Sequence, residues 1–68
     1  MKYYIKERNN GQSKTYYVAE GQLSKKDAAK KENTLAGTNN MLPFETESEY
    51  LAKIEELKLK GFNVSNSI

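Results

Sequence analysis

Apolar residues in the first third of the chain fall in two short runs separated by polar residues, as in two strands joined by a turn. Two stretches, 2–8 and 13–19, are rich in Tyr, Ile, Thr and Val and flank an Asn-Asn-Gly sequence. Asn-Gly supplies the two positive-φ residues that a tight type I′ hairpin requires. We therefore predict that the two stretches pair as an antiparallel hairpin, with Asn10 and Gly11 as its two-residue loop.

Because side chains alternate along a strand, the predicted register assigns the hairpin residues to two faces. The expected cross-strand pairs are Ile5 with Tyr16, Tyr4 with Tyr17, and Tyr3 with Val18. The face that we expect to be the core carries Tyr3, Ile5, Tyr16 and Val18. The other face is basic and rich in tyrosine, and it is the candidate partner-binding site: Lys2, Tyr4, Lys6, Arg8 and Tyr17.

A first helix is predicted after the hairpin from a capping pattern. Ser24 can accept a hydrogen bond from the backbone N–H of Asp27, and Asp27 occupies the reciprocal capping position, so the helix should begin at Lys25. Only a thin apolar stripe runs through the lysines that follow. We expect a short, weakly held helix that ends between residues 33 and 37.

The second helix has stronger signals. Thr46 and Glu49 form a full capping box, and Gly61 suits the left-handed position just after a helix, where it would return Phe62 to the core. The apolar side chains that fall on one face are Tyr50, Leu51, Ile54 and Leu57. The predicted i,i+4 ion pairs on the solvent side are Glu49–Lys53 and Glu56–Lys60.

The remaining segments complete a small α+β domain. Residues 38–45 form an apolar run around Pro43, which has no N–H for a sheet ladder and so favours an edge strand or an extended connector. Asn63-Val64 is a candidate final strand, and residues 65–68 are expected to fray. The predicted fold is a single domain over residues 1–68: an antiparallel hairpin, two helices and a possible third short strand (ββαβα). The side chains expected to close one edge of the core are Met41, Leu42 and Phe44.

Composition limits the chemistry that the chain can carry out. The 68 residues include no cysteine and no histidine, which removes disulfides, thiolate nucleophiles, most zinc geometries and the usual proton-transfer group. With 11 basic and 9 acidic residues the net charge is +2, too small to make nucleic acid the default partner. The opening MKYYIKERNN lacks the apolar run of a signal peptide, and no segment approaches a membrane span, so we expect a cytoplasmic location.

No residue pattern points to catalysis or to a cofactor. The four glycines stand far apart and form no phosphate loop, and the serines have no histidine base. The glutamates of the second helix, at 47, 49, 55 and 56, are accounted for by the helix dipole and by nearby lysines. We therefore expect no catalytic, cofactor-binding or metal-binding residues.

One stretch resembles a known DNA-binding family. From Tyr3 to Glu32 a Lys/Arg-rich hairpin leads into Gly21-Gln22-Leu23-Ser24-Lys25-Lys26-Asp27-Ala28. A hairpin followed by Gly-x-x-Ser/Thr-Lys-Lys-Glu/Asp-Ala is similar to the arm-binding domain of phage-type integrases. The match covers under half of the chain, and the resemblance implies DNA binding.

Two functions stay open for the basic, tyrosine-rich face, and a third possibility is a structural fragment or subunit whose exposed surface is an assembly interface. The leading hypothesis is a non-enzymatic binding module, a regulator or inhibitor that covers a surface on another protein, of the kind that accessory genes of phages and mobile elements encode. The alternative is a nucleic-acid-binding accessory protein in which bases stack on tyrosine rings flanked by Lys2, Lys6 and Arg8. Because the apolar core is small, homodimerisation or a stable partner would add stability.

Overall fold

The computed structural model describes residues 1–19, 21–32 and 38–66. The strands are β1 (Tyr3–Asn9), β2 (Lys14–Val18), β3 (Thr38–Phe44) and β4 (Asn63–Ser65), and the helices are α1 (Lys25–Glu32) and α2 (Glu47–Leu59). The predicted α+β class is confirmed. The segment around Pro43 is a strand, and the short strand expected at Asn63-Val64 is present.

The four strands form one mixed sheet in the order β3-β1-β2-β4. β1 is antiparallel to both β2 and β3, and β4 is parallel to β2. β3 is therefore an edge strand, as the proline predicts. α1 links β2 to β3 and α2 links β3 to β4, so each helix connects two strands that point the same way. Because the two connections cross the sheet in opposite directions, the right-handed crossover rule places the helices on opposite faces.

Side-chain contacts agree with this arrangement of the helices. Ile5 is fully buried in a cluster with Leu57 of α2. The next residue, Lys6, points to the other face, where its Nζ donates a 2.6 Å hydrogen bond to the main-chain carbonyl of Lys31 in α1. The sheet thus has an α2 side, which holds the main core, and an α1 side.

The hairpin register differs by two residues from the predicted one. Ile5 lies opposite Val18 rather than Tyr16, and Tyr17 lies opposite Lys6 rather than Tyr4. The connection between the strands is therefore a longer turn over residues 10–13. A shift of two residues preserves the face of every side chain, because side chains alternate with a period of two. The predicted division into a core face and a basic face is accordingly correct.

The turn itself explains the shift. A type I′ turn needs two positive φ angles, but only Gly11 (φ +92°) provides one, and no residue other than glycine has a positive φ in the described part of the chain. The side chain of Asn10 organises the turn instead. Its Oδ1 accepts hydrogen bonds from the backbone N–H groups of Gln12 (3.1 Å) and Ser13 (3.0 Å), which is the local pairing that asparagine favours in turns.

The core on the α2 side is centred on aromatic contacts of Tyr50. Its ring stacks on Tyr3 at 5.2 Å and meets the Phe44 ring edge-on at 6.3 Å, and its hydroxyl donates to the Ala19 carbonyl at 3.0 Å. Burial raises the pKa of the Tyr50 phenol. The other buried members of this core are Ile5, Tyr16, Val18 and Leu57, with Leu42, Ile54, Phe62 and Val64 packed against them.

Two residues expected in the core lie elsewhere. Leu51 is 53% exposed, because successive helical residues are about 100° apart and the line of contact with the sheet runs through Tyr50 and Leu57. Met41 lies opposite Lys6 in the sheet and so belongs to the α1 side, whereas Leu42, opposite Ile5, joins the core.

The Thr46 cap and the Gly61 terminus of α2 form as expected. Thr46 Oγ1 accepts from the N–H of Glu49 at 3.2 Å. At the other end, the N–H of Phe62 bonds to the Leu57 carbonyl and that of Gly61 bonds to the Lys58 carbonyl, which is a Schellman motif. Gly61 has φ +86°.

The remaining boundary predictions have mixed outcomes. Ser24 Oγ accepts from the N–H of Asp27 at 3.1 Å, and α1 begins at Lys25 as predicted. The predicted end of this helix, between residues 33 and 37, lies outside the described residues. Ser65, expected to fray, pairs with Tyr17 as the last residue of β4.

The ion pairs on α2 differ in part from the prediction. Glu56 pairs with Lys60 at 3.4 Å, as expected, but Lys53 pairs with Glu56 at 2.9 Å rather than with Glu49. Hydrogen bonds from Lys53 and then Lys60 lower the pKa of the Glu56 carboxyl.

Candidate functional site

The five residues of the predicted partner-binding site lie on the α1 side of the sheet. Tyr4, Lys6 and Arg8 alternate along β1 with the core residues, and Tyr17 is directly opposite Lys6. Lys2 precedes β1 and is held by two backbone hydrogen bonds to Leu23, of 2.9 and 3.0 Å. The shared face is as predicted, but α1 covers part of it.

Lys6 is buried and is not available as a surface contact. Only 1% of the residue is exposed, and its Nζ donates to the carbonyl of Lys31 in the last turn of α1. A cation is favourable at this end of a helix because the helix dipole is negative there. Burial lowers the pKa of the Lys6 ammonium, and the nearby charge of Arg8 lowers it further. The assignment of Lys6 to the partner-binding surface needs correction, because the β2-α1-β3 crossover places a helix over it.

Tyr4 and Tyr17 do not form the cross-strand pair that the sequence suggested. Tyr4 lies opposite Pro43 of β3, while Tyr17 lies between Lys6 and Ser65. Both tyrosines are half-buried, as is Arg8. Because the two rings are not cross-strand neighbours, they do not form the paired stacking surface that the sequence suggested.

A depression of about 300 Å³ opens where β1, β3 and α1 meet. It is lined by Met1, Lys2, Tyr4, Lys25 and Pro43. Two members of the predicted site, Lys2 and Tyr4, are thus brought together here with residues from two other elements. Tyr4 and Pro43 are neighbours across the β1–β3 ladder, and Lys25 is the first residue of α1.

One lysine of the depression already has an anionic partner. Lys2 Nζ lies 2.9 Å from Oε1 of Glu45, which follows β3. The hydrogen bond to Glu45, more than the charge of its carboxylate, raises the pKa of the Lys2 ammonium. A carboxylate oxygen therefore fits at the edge of this depression.

Charge is unequally divided between the two helices. The eight residues of α1 include four lysines against Asp27 and Glu32, a net charge of +2. The 13 residues of α2 include four glutamates against Lys53 and Lys58, a net charge of −2. Lys2, Lys6 and Arg8 lie on the same side of the sheet as α1. Although the net charge of the whole chain is only +2, the α1 side is therefore more basic than the α2 side.

Sequence reasoning missed the contributions of Lys25 and Pro43. Both depend on the position of β3, which pairs with β1 on the side away from β2. Pro43 had been recognised as an edge-strand residue, and pairing that strand antiparallel to β1 would have brought it close to Tyr4. The position of Lys25 beside the depression results from the crossover that carries the chain from β2 to β3.

Other chemical features of the described residues are few. Within residues 1–19, 21–32 and 38–66 there is no group of three histidine, cysteine, aspartate or glutamate side chains placed to hold a metal ion. In the same ranges neither helix has the length and apolar character needed to cross a membrane.

Comparison with known proteins identifies no relative. No family model matches the chain, and no curated protein or solved structure shows significant similarity to it. The resemblance to the arm-binding domain of integrases therefore depends only on the hairpin and the motif from Gly21 to Ala28 that follows it.

Proposed function

We propose that this protein is a non-enzymatic binding module that regulates or inhibits another protein by covering an acidic surface on it. The observation that carries the proposal is the concentration of positive charge on the α1 side, next to a depression that combines Tyr4 and Pro43 with two lysines. Complementary charge speeds association and selects partners, while desolvated aromatic side chains contribute affinity.

The size of the molecule is compatible with this role. A standard protein interface buries about 800 Å² on each partner, and the accessible surface of this chain is 4536 Å². The lack of cysteine and histidine supports the non-enzymatic part of the proposal.

Nucleic-acid binding is the second candidate, and the observation in its favour is the four lysines of α1. Lysine contacts with phosphate give salt-dependent, sequence-independent binding. The tyrosines support this candidate less than the sequence suggested, because the two rings are not paired across the hairpin and Lys6 lies under α1. A protein partner requires only an anionic surface that fits the α1 side.

The test compares two charge reversals of equal size. Lys26→Glu with Lys30→Glu changes the exposed surface of α1, whereas Lys14→Glu with Lys58→Glu makes the same change outside α1. Each variant is used to capture proteins by cross-linking and is also titrated with labelled single- and double-stranded DNA and RNA at two salt concentrations. Circular dichroism confirms that both variants are folded.

The proposal expects one protein to be captured by the wild type and by the Lys14/Lys58 variant but not by the Lys26/Lys30 variant. Equal capture by both variants would contradict a partner site on the α1 side. Salt-sensitive oligonucleotide binding that is lost only in the Lys26/Lys30 variant would establish the second candidate instead.

The cellular setting is part of the same proposal. We place the protein in the cytoplasm, and we take it to be an accessory protein of a phage or mobile element. The absence of cysteine supports the first point, because disulfides are typical of small proteins in oxidising compartments. Fractionation of cells that express a tagged chain tests the location.

A further inference from the structure

The floor of the depression on the α1 side is apolar. Tyr4 and Pro43 lie next to each other across the β1–β3 ladder, and Met1 lies beside them. A half-buried aromatic ring beside a proline ring gives a rigid surface that loses little conformational entropy on binding. This surface suits an apolar or aromatic side chain.

The edge of the depression is cationic. Lys25 approaches from α1 and Lys2 from the start of β1. The Lys2–Glu45 pair is exposed on both sides, with 45% and 73% of the two side chains accessible. Exposed pairs of this kind contribute little to stability. An incoming carboxylate can therefore replace Glu45 on Lys2 at small cost, and another can pair with Lys25.

We propose that this depression anchors the partner through a short acidic segment, in which one apolar or aromatic side chain packs on Tyr4 and Pro43 while flanking carboxylates pair with Lys2 and Lys25. The volume of about 300 Å³ is at the lower end of ligand pockets, which suits a single anchoring side chain. In this arrangement Glu45 occupies the position of a partner carboxylate and competes with it. The inference rests on the proposed function and specifies the chemistry of the partner.

The probe is an acetylated, amidated pentapeptide with a central phenylalanine and two glutamates on either side. It is titrated into ¹⁵N-labelled protein, and amide shifts are followed by NMR, which measures weak binding at individual residues. We expect the largest shifts at Tyr4 and Lys25. A peptide with alanine at the centre should bind about tenfold more weakly, and one with lysines in place of the glutamates should not bind.

Three protein variants make the test specific. Glu45→Gln removes the competing carboxylate and should increase affinity about two- to fivefold, and a gain of this kind cannot result from misfolding. Lys25→Gln should reduce affinity by a similar factor. Lys14→Gln, a matched change of an exposed lysine outside α1, should leave it unchanged.

The possible failures are distinguishable. Shifts centred on Lys26 and Lys30, with no dependence on the central phenylalanine and no gain in Glu45→Gln, would overturn the anchoring site while leaving an acidic partner for the α1 side. No binding of the acidic peptide would also overturn the anchoring site. If an oligonucleotide then shifted the same amides, the proposed protein partner would fail with it.

Discussion

Tyr16 provides a stability test whose size follows from the structure. Its ring packs edge-on against Phe62 at 5.3 Å, and its hydroxyl donates a 2.9 Å hydrogen bond to Oε2 of Glu7, directly opposite in the β1–β2 ladder. Only 5% of the residue is exposed. Burial first, and then the hydrogen bond to Glu7, raise the pKa of the phenol from 10.0 to about 12. The folded protein therefore strongly favours the neutral phenol.

The sign of the pH effect follows from this upward shift. Below the unfolded-state pKa of 10.0 the phenol is protonated in both states, and its contribution to stability is fully present. As the pH rises, the unfolded chain ionises first, so the contribution falls until the folded pKa near 12 is passed. At about pH 11 the ionised form of the phenol is roughly tenfold more abundant than the neutral form in the unfolded chain, whereas the folded protein keeps it mostly neutral. The free energy of unfolding is then lower by about 1.4 kcal/mol.

The assay is urea denaturation followed by circular dichroism at about pH 9 and pH 11, for the wild type and Tyr16→Phe. Phenylalanine keeps the ring on Phe62 but does not titrate. All other side chains are the same in both proteins, so their contributions cancel in the comparison. We expect the free energy of unfolding of the wild type, relative to that of Tyr16→Phe, to fall by about 1.3 kcal/mol between the two pH values. If the difference in free energy of unfolding between the two proteins is the same at both pH values, the reasoning about the buried phenol is refuted.

Two further predictions concern α2. Gly61→Ala should lower the free energy of unfolding by about 1 kcal/mol through backbone strain alone, because φ is +86° and an added Cβ would meet no atom within 4 Å. Urea denaturation checks this value, and Gly61→Asn should lower the free energy of unfolding by less. Leu57→Ala should cost about 2–5 kcal/mol and Leu51→Ala under about 1, since the two residues are 2% and 53% exposed; equal melting temperatures for the two variants would contradict the observed orientation of α2.

Local signals in the sequence predicted the elements, the start of α1 and the ends of α2 well. The Thr46 cap, the Gly61 terminus and the edge position of Pro43 each depend on a few neighbouring residues, and the structure contains all three. The hairpin register was wrong because the Asn10 side chain competes with the backbone for the turn hydrogen bonds, and a two-residue loop assumes that it does not. Leu51 was misplaced because a helix presents a narrower stripe to a flat sheet than its apolar pattern suggests.

The candidate site could be predicted in part for a related reason. Strand alternation correctly placed Lys2, Tyr4 and Arg8 with Lys6 on one face, because it needs no knowledge of the tertiary fold. Which of these residues reach solvent depends on the path of the chain after β2, and no local signal encodes that path.

Opposite crossover directions link the topology of this domain to its surface charge. Since the chain moves from β2 to β3 and then back to β4, each side of the sheet receives one helix, and α1 is basic whereas α2 is acidic. Lys6 shows the consequence most clearly, because the helix that buries it also replaces its charge on the surface with four lysines. The sequence assigned the positive charge of the binding site to the hairpin, whereas in the structure α1 carries most of it. Under the proposed function, an anionic partner would meet α1 first, and the depression beside Tyr4 would supply the aromatic contact.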